Sequence, residues 1–286
     1  MSKKTKVADV HSLADELRVG KGFRLADVDP GSTPGFDGGK KAGAALLWER
    51  LDELGDWQEK LHAESTAGSE RRLLLVVQGM DTAGKGGIMR HVVGAMDPEG
   101  VRATAFKKPT DEERRHEFLW RIRNALPGPG RVGVFDRSHY EDVLAVRVHD
   151  LVEPAEWRGR YAIINAFERD LVRDGTTVVK VMLHLSRDEQ KARLTKRLDR
   201  PDKYYKYNPG DVDERGYWDD YMEAYQVALT RCSTTAAPWY VVPADHKWYA
   251  RLAVQTLLLD AFERLDPQWP PASYDVAAEQ RRLAES

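Results

Sequence analysis

Apolar positions along this chain recur with two different periods. The run Leu73-Leu74-Leu75-Val76-Val77 is apolar without interruption and ends in a glycine-rich turn, the pattern of a parallel strand buried on both faces. Residues 101–106, 131–135, 176–185 and 239–242 predict further strands. Elsewhere the spacing is helical. Over residues 44–64, Leu46, Leu47, Leu51, Leu54 and Trp57 share one face and predict a single helix. Helices are also predicted over 84–96, 161–173, 213–230 and 247–265. Two more are predicted from capped starts at Thr110, with Phe118, Leu119, Trp120 and Ile122 downstream, and at Ser186. Strands and helices alternate with no internal repeat, so the expected fold class is α/β with a doubly wound parallel sheet. Residues 1–43 are polar and rich in Gly, Asp and Lys and predict an irregular N-terminal arm. The expected domain spans 44–265, and a tail, Pro-rich at first, covers 266–286.

The first strand leads into Gly79-Met80-Asp81-Thr82-Ala83-Gly84-Lys85-Gly86-Gly87, with the G-x-x-x-x-G-K spacing of a Walker A phosphate loop. Backbone N–H groups of Gly79, Met80, Thr82, Ala83, Gly84 and Gly86 are expected to cradle phosphate, and Lys85 adds a point charge. The Ser or Thr that usually follows the lysine and binds magnesium is Gly86 here. A carboxylate is therefore expected to hold the metal, and Asp81 lies inside the loop. The strand ending Val134-Phe135-Asp136 fits a Walker B carboxylate. In an open parallel sheet, Lys85 and Asp136 would meet at the carboxyl edge, where ligands bind.

Charge sharpens this picture. The 286 residues carry a net charge of −2. Residues 102–207 hold 23 Lys/Arg against 17 Asp/Glu, a net of +6 that leaves −8 for the rest. A basic middle in a mildly acidic chain points to a local anionic ligand rather than to nucleic acid. Arg193, Lys196, Arg197 and Arg200 share a helical face, and a loop with Lys203 and Lys206 follows. Residues 190–212 are thus predicted to form a lid over phosphate. The single cysteine, Cys232, excludes an intrachain disulfide framework and a multi-cysteine zinc site. No apolar segment follows the basic start, and no window approaches a membrane span, so a cytoplasmic protein without membrane partners is expected.

These residues together resemble the polyphosphate kinase 2 family, over residues 23–265. The resemblance rests on the 79–87 loop, on Phe106-Lys107-Lys108-Pro109-Thr110 and on Phe118-Leu119-Trp120-Arg121. It continues through Phe135-Asp136-Arg137-Ser138-His139-Tyr140-Glu141-Asp142, the basic residues Arg193, Arg197, Lys203 and Lys206, and the late run Ala237-Pro238-Trp239-Tyr240. It implies a lidded P-loop kinase fold and a homo-oligomer, dimer or tetramer. It also implies magnesium-dependent phosphoryl transfer between inorganic polyphosphate and nucleoside mono- or diphosphates. The His139-Tyr140-Glu141-Asp142 run looks like the branches that use monophosphates. On this resemblance, Asp81 and Asp136 hold magnesium, Lys85 and Arg137 stabilise the transferred group, and Lys107, Arg121, Arg193, Arg197, Lys203 and Lys206 line a track for the polymer. Glu141 is placed near the acceptor or a second metal. The alternatives are an ATP-dependent, thymidylate-like nucleotide kinase and a P-loop nucleotide-binding regulator. Guanine-specific switches carry an Asn-Lys-x-Asp motif, and no Asn-Lys pair occurs here.

Overall fold

A computed structural model describes residues 10–286. Residues 1–9, the start of the expected arm, lie outside the described residues. The chain opens with α1 (Val10–Leu17), α2 (Lys40–Glu49) and α3 (Leu51–Thr66), followed by β1 (Arg72–Gln78) and α4 (Lys85–His91). Next come β2 (Val101–Ala105), α5 (Trp120–Ala125), β3 (Val132–Asp136), α6 (Ala145–Val148) and α7 (Pro154–Arg173). The second half contains β4 (Thr176–His184), α8 (Arg187–Leu198), α9 (Gly210–Glu214) and α10 (Trp218–Cys232). β5 (Trp239–Pro243), α11 (Lys247–Leu265) and α12 (Val276–Ala284) complete it.

Among the described residues the strands form one parallel sheet in the order β2-β3-β1-β4-β5. Side chains alternate between faces along β1. Leu73, Leu75 and Val77 enter a core with Leu54, Leu61, Ile88 and the apolar residues of α11. Leu74 and Val76 enter the opposite core with Ile122, Ile164, Phe167 and Leu229. Both faces are covered, which is why the strand reads as an unbroken apolar run.

Three expectations change. The described part of the arm is not irregular throughout: it holds α1, whose Leu13, Ala14 and Leu17 are buried against the core that holds α11. The next residues cover the edge of β5, where Val19 N–H donates to Trp239 O at 2.8 Å. An exposed sheet edge invites pairing with other chains, and this segment caps it. The helix expected over 44–64 is two helices, because Arg50 leaves helical geometry at φ −98°, ψ 5°. Each half then buries its own residues, Leu47 in one and Leu54 and Leu61 in the other. Thr110 caps only a short turn: its Oγ1 accepts from Glu113 N–H at 3.2 Å, and Glu113 Oε2 accepts from Thr110 N–H at 2.8 Å. The residues that follow lack an apolar stripe, so α5 begins only at Trp120, where Ile122 and Ala125 find a core. The tail carries α12, capped by Asp275 and with no buried side chain.

Candidate active site

The loop after β1 is shaped by backbone that most residues avoid. Gly79 has φ +150°, and a Cβ there would meet the Leu183 carbonyl oxygen at 2.8 Å. Gly84 has φ +121°. Thr82 is held at φ 66°, a costly conformation for a β-branched residue, and its hydroxyl is buried without a hydrogen-bond partner. Lys85 Nζ turns back under the loop and donates to Gly79 O at 2.8 Å. Burial holds its ammonium below the ordinary value, and Arg137 pushes the same way against Asp81, Asp136 and Glu141.

Asp136 ends β3 in register with Val77, one strand away from the loop. Arg137 follows at φ 64°, and its guanidinium lies 2.6 Å from Asp81 Oδ1. Burial opposes that charge, but Glu141 and Asp81 outweigh it and keep Arg137 above the ordinary guanidinium value. Burial raises the Glu141 carboxyl, against Arg137 and Lys85. Gln78, fully buried at the end of β1, ties this turn to the loop strand. With its amide turned to satisfy both ends, Nε2 donates to Glu141 Oε1 at 3.1 Å and Oε1 accepts from the Ser138 hydroxyl at 3.1 Å.

These groups border or support a cavity of about 1020 Å³ at the carboxyl edge of the sheet. Asp81, Thr82, Ala83, Gly84, Lys85, Gly86 and Asp136 line one side of it. Lys107, Arg197, Lys203 and Lys206 line the rest, together with Lys196, Arg200, Arg90, Lys247 and Arg251. Asp81 and Asp136 are the carboxylates on that wall, and no cluster of three or more His, Cys, Asp or Glu able to hold a metal occurs among the described residues. Two carboxylates beside a phosphate loop are the kind of oxygen donors that a magnesium ion would use there.

Residues 39–270 match the family model for polyphosphate kinase 2. The chain belongs to the polyphosphate kinase 2 family. It superposes with a TM-score of 0.95 on the crystal structure of polyphosphate kinase 2 from Arthrobacter aurescens TC1, at 58% identity over 100% of this chain and 99% of that one. It is 44% identical over 251 residues to the AMP/ADP-polyphosphate phosphotransferase of Meiothermus ruber, covering 87% of this chain and 91% of the relative. It is 40% identical to the ADP-polyphosphate phosphotransferase of Rhodopseudomonas palustris, covering 89% and 91%.

Within this polyphosphate kinase 2 fold, several expected site residues take other places. Arg193 borders the cavity but is only 3% exposed. Its guanidinium donates to the carbonyls of Thr82 at 2.9 Å, Ala83 at 3.0 Å, Ala244 at 2.6 Å and Asp245 at 2.9 Å, and its Nε to Glu189. All five donors are thereby used, so Arg193 clamps the phosphate loop to the end of β5 and keeps no free donor on the cavity side. Arg121 is buried away from the cavity wall and donates to Lys107 O at 2.9 Å, so it meets the wall only through Lys107. Gly79 and Met80, the first residues of the loop, do not border the cavity, whose wall begins at Asp81. Arg137 and Glu141 stand just outside the same wall, behind Asp81. Gln78, Gln190, Arg90, Lys247 and Arg251 were not singled out from sequence. Gln190, which donates to Asp81 O at 3.0 Å from the helix that carries Arg193, sits three residues before it and could have been read from that spacing.

Asp142 offers a pH test. Burial pushes its carboxyl up to about 6, against Arg160 and Arg121. Its Oδ1 accepts from Arg160 at 3.1 Å, while Oδ2 has no hydrogen-bond partner. The folded chain therefore holds this proton more tightly than the unfolded chain. The stability it contributes is full below pH 4 and is lost as the pH rises to about 6, a change of roughly 2 to 3 kcal/mol. In urea titrations between pH 4 and 7, Asp142→Asn is expected to remove that component. An identical pH slope in variant and wild type would show that Asp142 does not cause it.

Proposed function

We propose that this chain transfers phosphoryl groups from inorganic polyphosphate to a nucleoside mono- or diphosphate, reversibly and with magnesium. One observation carries the reading: a single cavity joins the phosphate loop and its two carboxylates to a long basic wall from α8 and the turn after it. A nucleotide kinase that uses ATP needs room for three donor phosphates, whereas a wall running on through Arg197, Arg200, Lys203 and Lys206 suits an extended polyanion. The basic wall likewise disfavours a nucleotide-binding regulator.

In this reading the loop amides and Lys85 hold phosphate at the transfer point, and the loose transition state needs alignment and charge stabilisation more than covalent help. Asp81 and Asp136 would hold magnesium, which offsets charge on the phosphate oxygens when bound. Arg137 holds Asp81 in place, and in this reading its guanidinium offsets charge that develops on the transferred group. On the same reading the chain works in the cytoplasm as a homo-oligomer.

The acceptor is read from Glu141. A monophosphate leaves one phosphate's length of the site unfilled, and a carboxylate beside that gap repels an extra phosphate unless a cation bridges them. AMP is thus expected to be phosphorylated to ADP, with ADP carried on to ATP more slowly. Incubation with magnesium, polyphosphate and AMP, ADP or GMP, followed by chromatography, tests both the donor and the acceptor. Glu141→Asn is expected to depress the AMP reaction more than the ADP reaction. Equal slowing of both would remove Glu141 from acceptor choice, and absence of any product with polyphosphate would refute the donor.

A further inference from the structure

Beneath the turn that carries Arg137 and Glu141 lies a cluster of ionisable groups with no part in the chemistry above. Lys180 on β4 is 0% exposed and Glu168 on α7 is 1% exposed. Lys180 Nζ lies 2.5 Å from Glu168 Oε2 and also donates to the Tyr140 hydroxyl at 2.9 Å and the Cys232 carbonyl at 2.7 Å. The Tyr140 hydroxyl donates to Glu168 Oε1 at 2.8 Å, and His139 Nε2 lies 3.2 Å from the same oxygen. Trp239 of β5 stands edge-on to Tyr140 with ring centroids 4.6 Å apart. Three donor directions of Lys180 and both oxygens of Glu168 are therefore occupied.

Burial would raise the Glu168 carboxyl, but Lys180 and His139 outweigh it and keep it ionised. Burial also holds His139 below its ordinary value, so the imidazole is neutral at pH 7. A buried ion pair of this kind is a weak source of stability, since well-packed apolar residues often serve as well or better. Met182, on the same face of the strand as Lys180, shows what such packing looks like. What apolar residues could not do is grip Tyr140 and His139. Those two residues form the middle of the turn between Arg137 and Glu141, whose other side is held by Gln78.

We propose that Glu168 and Lys180 are positioning residues for the acceptor side of the site: they seat Tyr140 and His139, and so fix Arg137 against Asp81 and Glu141 beside it. The inference rests on the phosphotransfer reading for its kinetic test and on nucleotide binding for an independent one.

The test is the double variant Lys180→Met/Glu168→Gln, which removes both charges and leaves neither unpaired. It is expected to melt close to wild type. Its kcat/KM for the nucleotide acceptor is expected to fall by up to about 10²-fold, as misplacement of a positioned group can do. The KM for polyphosphate should stay unchanged, a split that a mere loss of folded protein would not produce. The Kd for AMP with magnesium, measured without polyphosphate, should rise in parallel. Tyr140→Phe keeps both charges and removes one of the pair's two links to the turn, leaving His139 on Glu168; it should show the same split in smaller degree, so the test survives if the double variant does not fold. Wild-type acceptor KM in either variant, or equal changes for both substrates, would overturn the proposal. A wild-type chain that binds AMP but makes no product would instead count against the phosphotransfer reading.

Discussion

Asp136→Asn is expected to lower turnover about 10³-fold while the chain stays folded. The side chain changes from a carboxylate to an amide, a poorer magnesium ligand, and a bound metal contributes several kcal/mol to charge stabilisation in such transfers. The backbone around it is undisturbed, because its carbonyl still accepts from Phe106 N–H at 2.9 Å. Asp81→Asn should be similarly slow for a second reason, since it also removes the partner of Arg137. Activity followed against magnesium concentration decides the matter: both variants should need far more metal than wild type. Near-normal turnover of both at low magnesium would end the assignment of these carboxylates as the metal site.

The second large effect separates two arginines only four residues apart. Arg193→Met removes a buried guanidinium and leaves the carbonyls of Thr82, Ala83, Ala244 and Asp245 without that donor, and strands Glu189. Breaking a buried, hydrogen-bonded charge costs about 3 kcal/mol or more, which corresponds to a fall of roughly 6 to 10 °C in Tm. Turnover should fall too, because the loop amides are aimed by the carbonyls that Arg193 holds. Arg197 is different. It borders the cavity, donates to Lys206 O at 2.6 Å and lies 3.2 Å from Asp211. Arg197→Ala and Lys203→Ala should leave Tm nearly unchanged, raise the KM for long polyphosphate and flatten its dependence on salt, since each removes a contact that salt screens. The combined readout of Tm and salt-dependent KM is decisive: an Arg193 variant that keeps its Tm but loses polyphosphate affinity would return that residue to the track.

Both expectations bear on the strained backbone at the site. Thr82 and Arg137, neither of them glycine, occupy left-handed φ at the two ends of the Asp81–Arg137 pair, one next to Asp81 and one within it. Such conformations persist where the surroundings over-determine them. Here the surroundings are Arg193 and Gln190 on one side, and Gln78 with the buried Glu168–Lys180 cluster on the other. Two sets of buried polar side chains thus brace the loop and the turn that meet at the Asp81–Arg137 pair.

The chain's sequence was enough to locate β1, the phosphate loop, Lys85 and Asp136, because each is a local matter. An unbroken apolar run, a glycine spacing and a carboxylate at a strand end are written within a few residues. Parallel pairing then brings them to one edge, as the order β2-β3-β1-β4-β5 does. The helix Lys247–Leu265 was legible with the same bounds for the same reason. α1 was written just as locally, in Leu13, Ala14 and Leu17, but the polar residues around that stripe hid it. The roles of the arginines and of the charged pair were a different kind of question. A basic residue on a helical face reads alike whether it meets solvent, a polymer or carbonyl groups. Which one it meets depends on chain that is distant in sequence: Arg193 finds Thr82 across 111 positions and Ala244 across 51, and Lys180 finds Tyr140 across 40. Periodicity reports which face of an element is buried, but only the packing of those elements decides which donors are already satisfied and which remain free for phosphate.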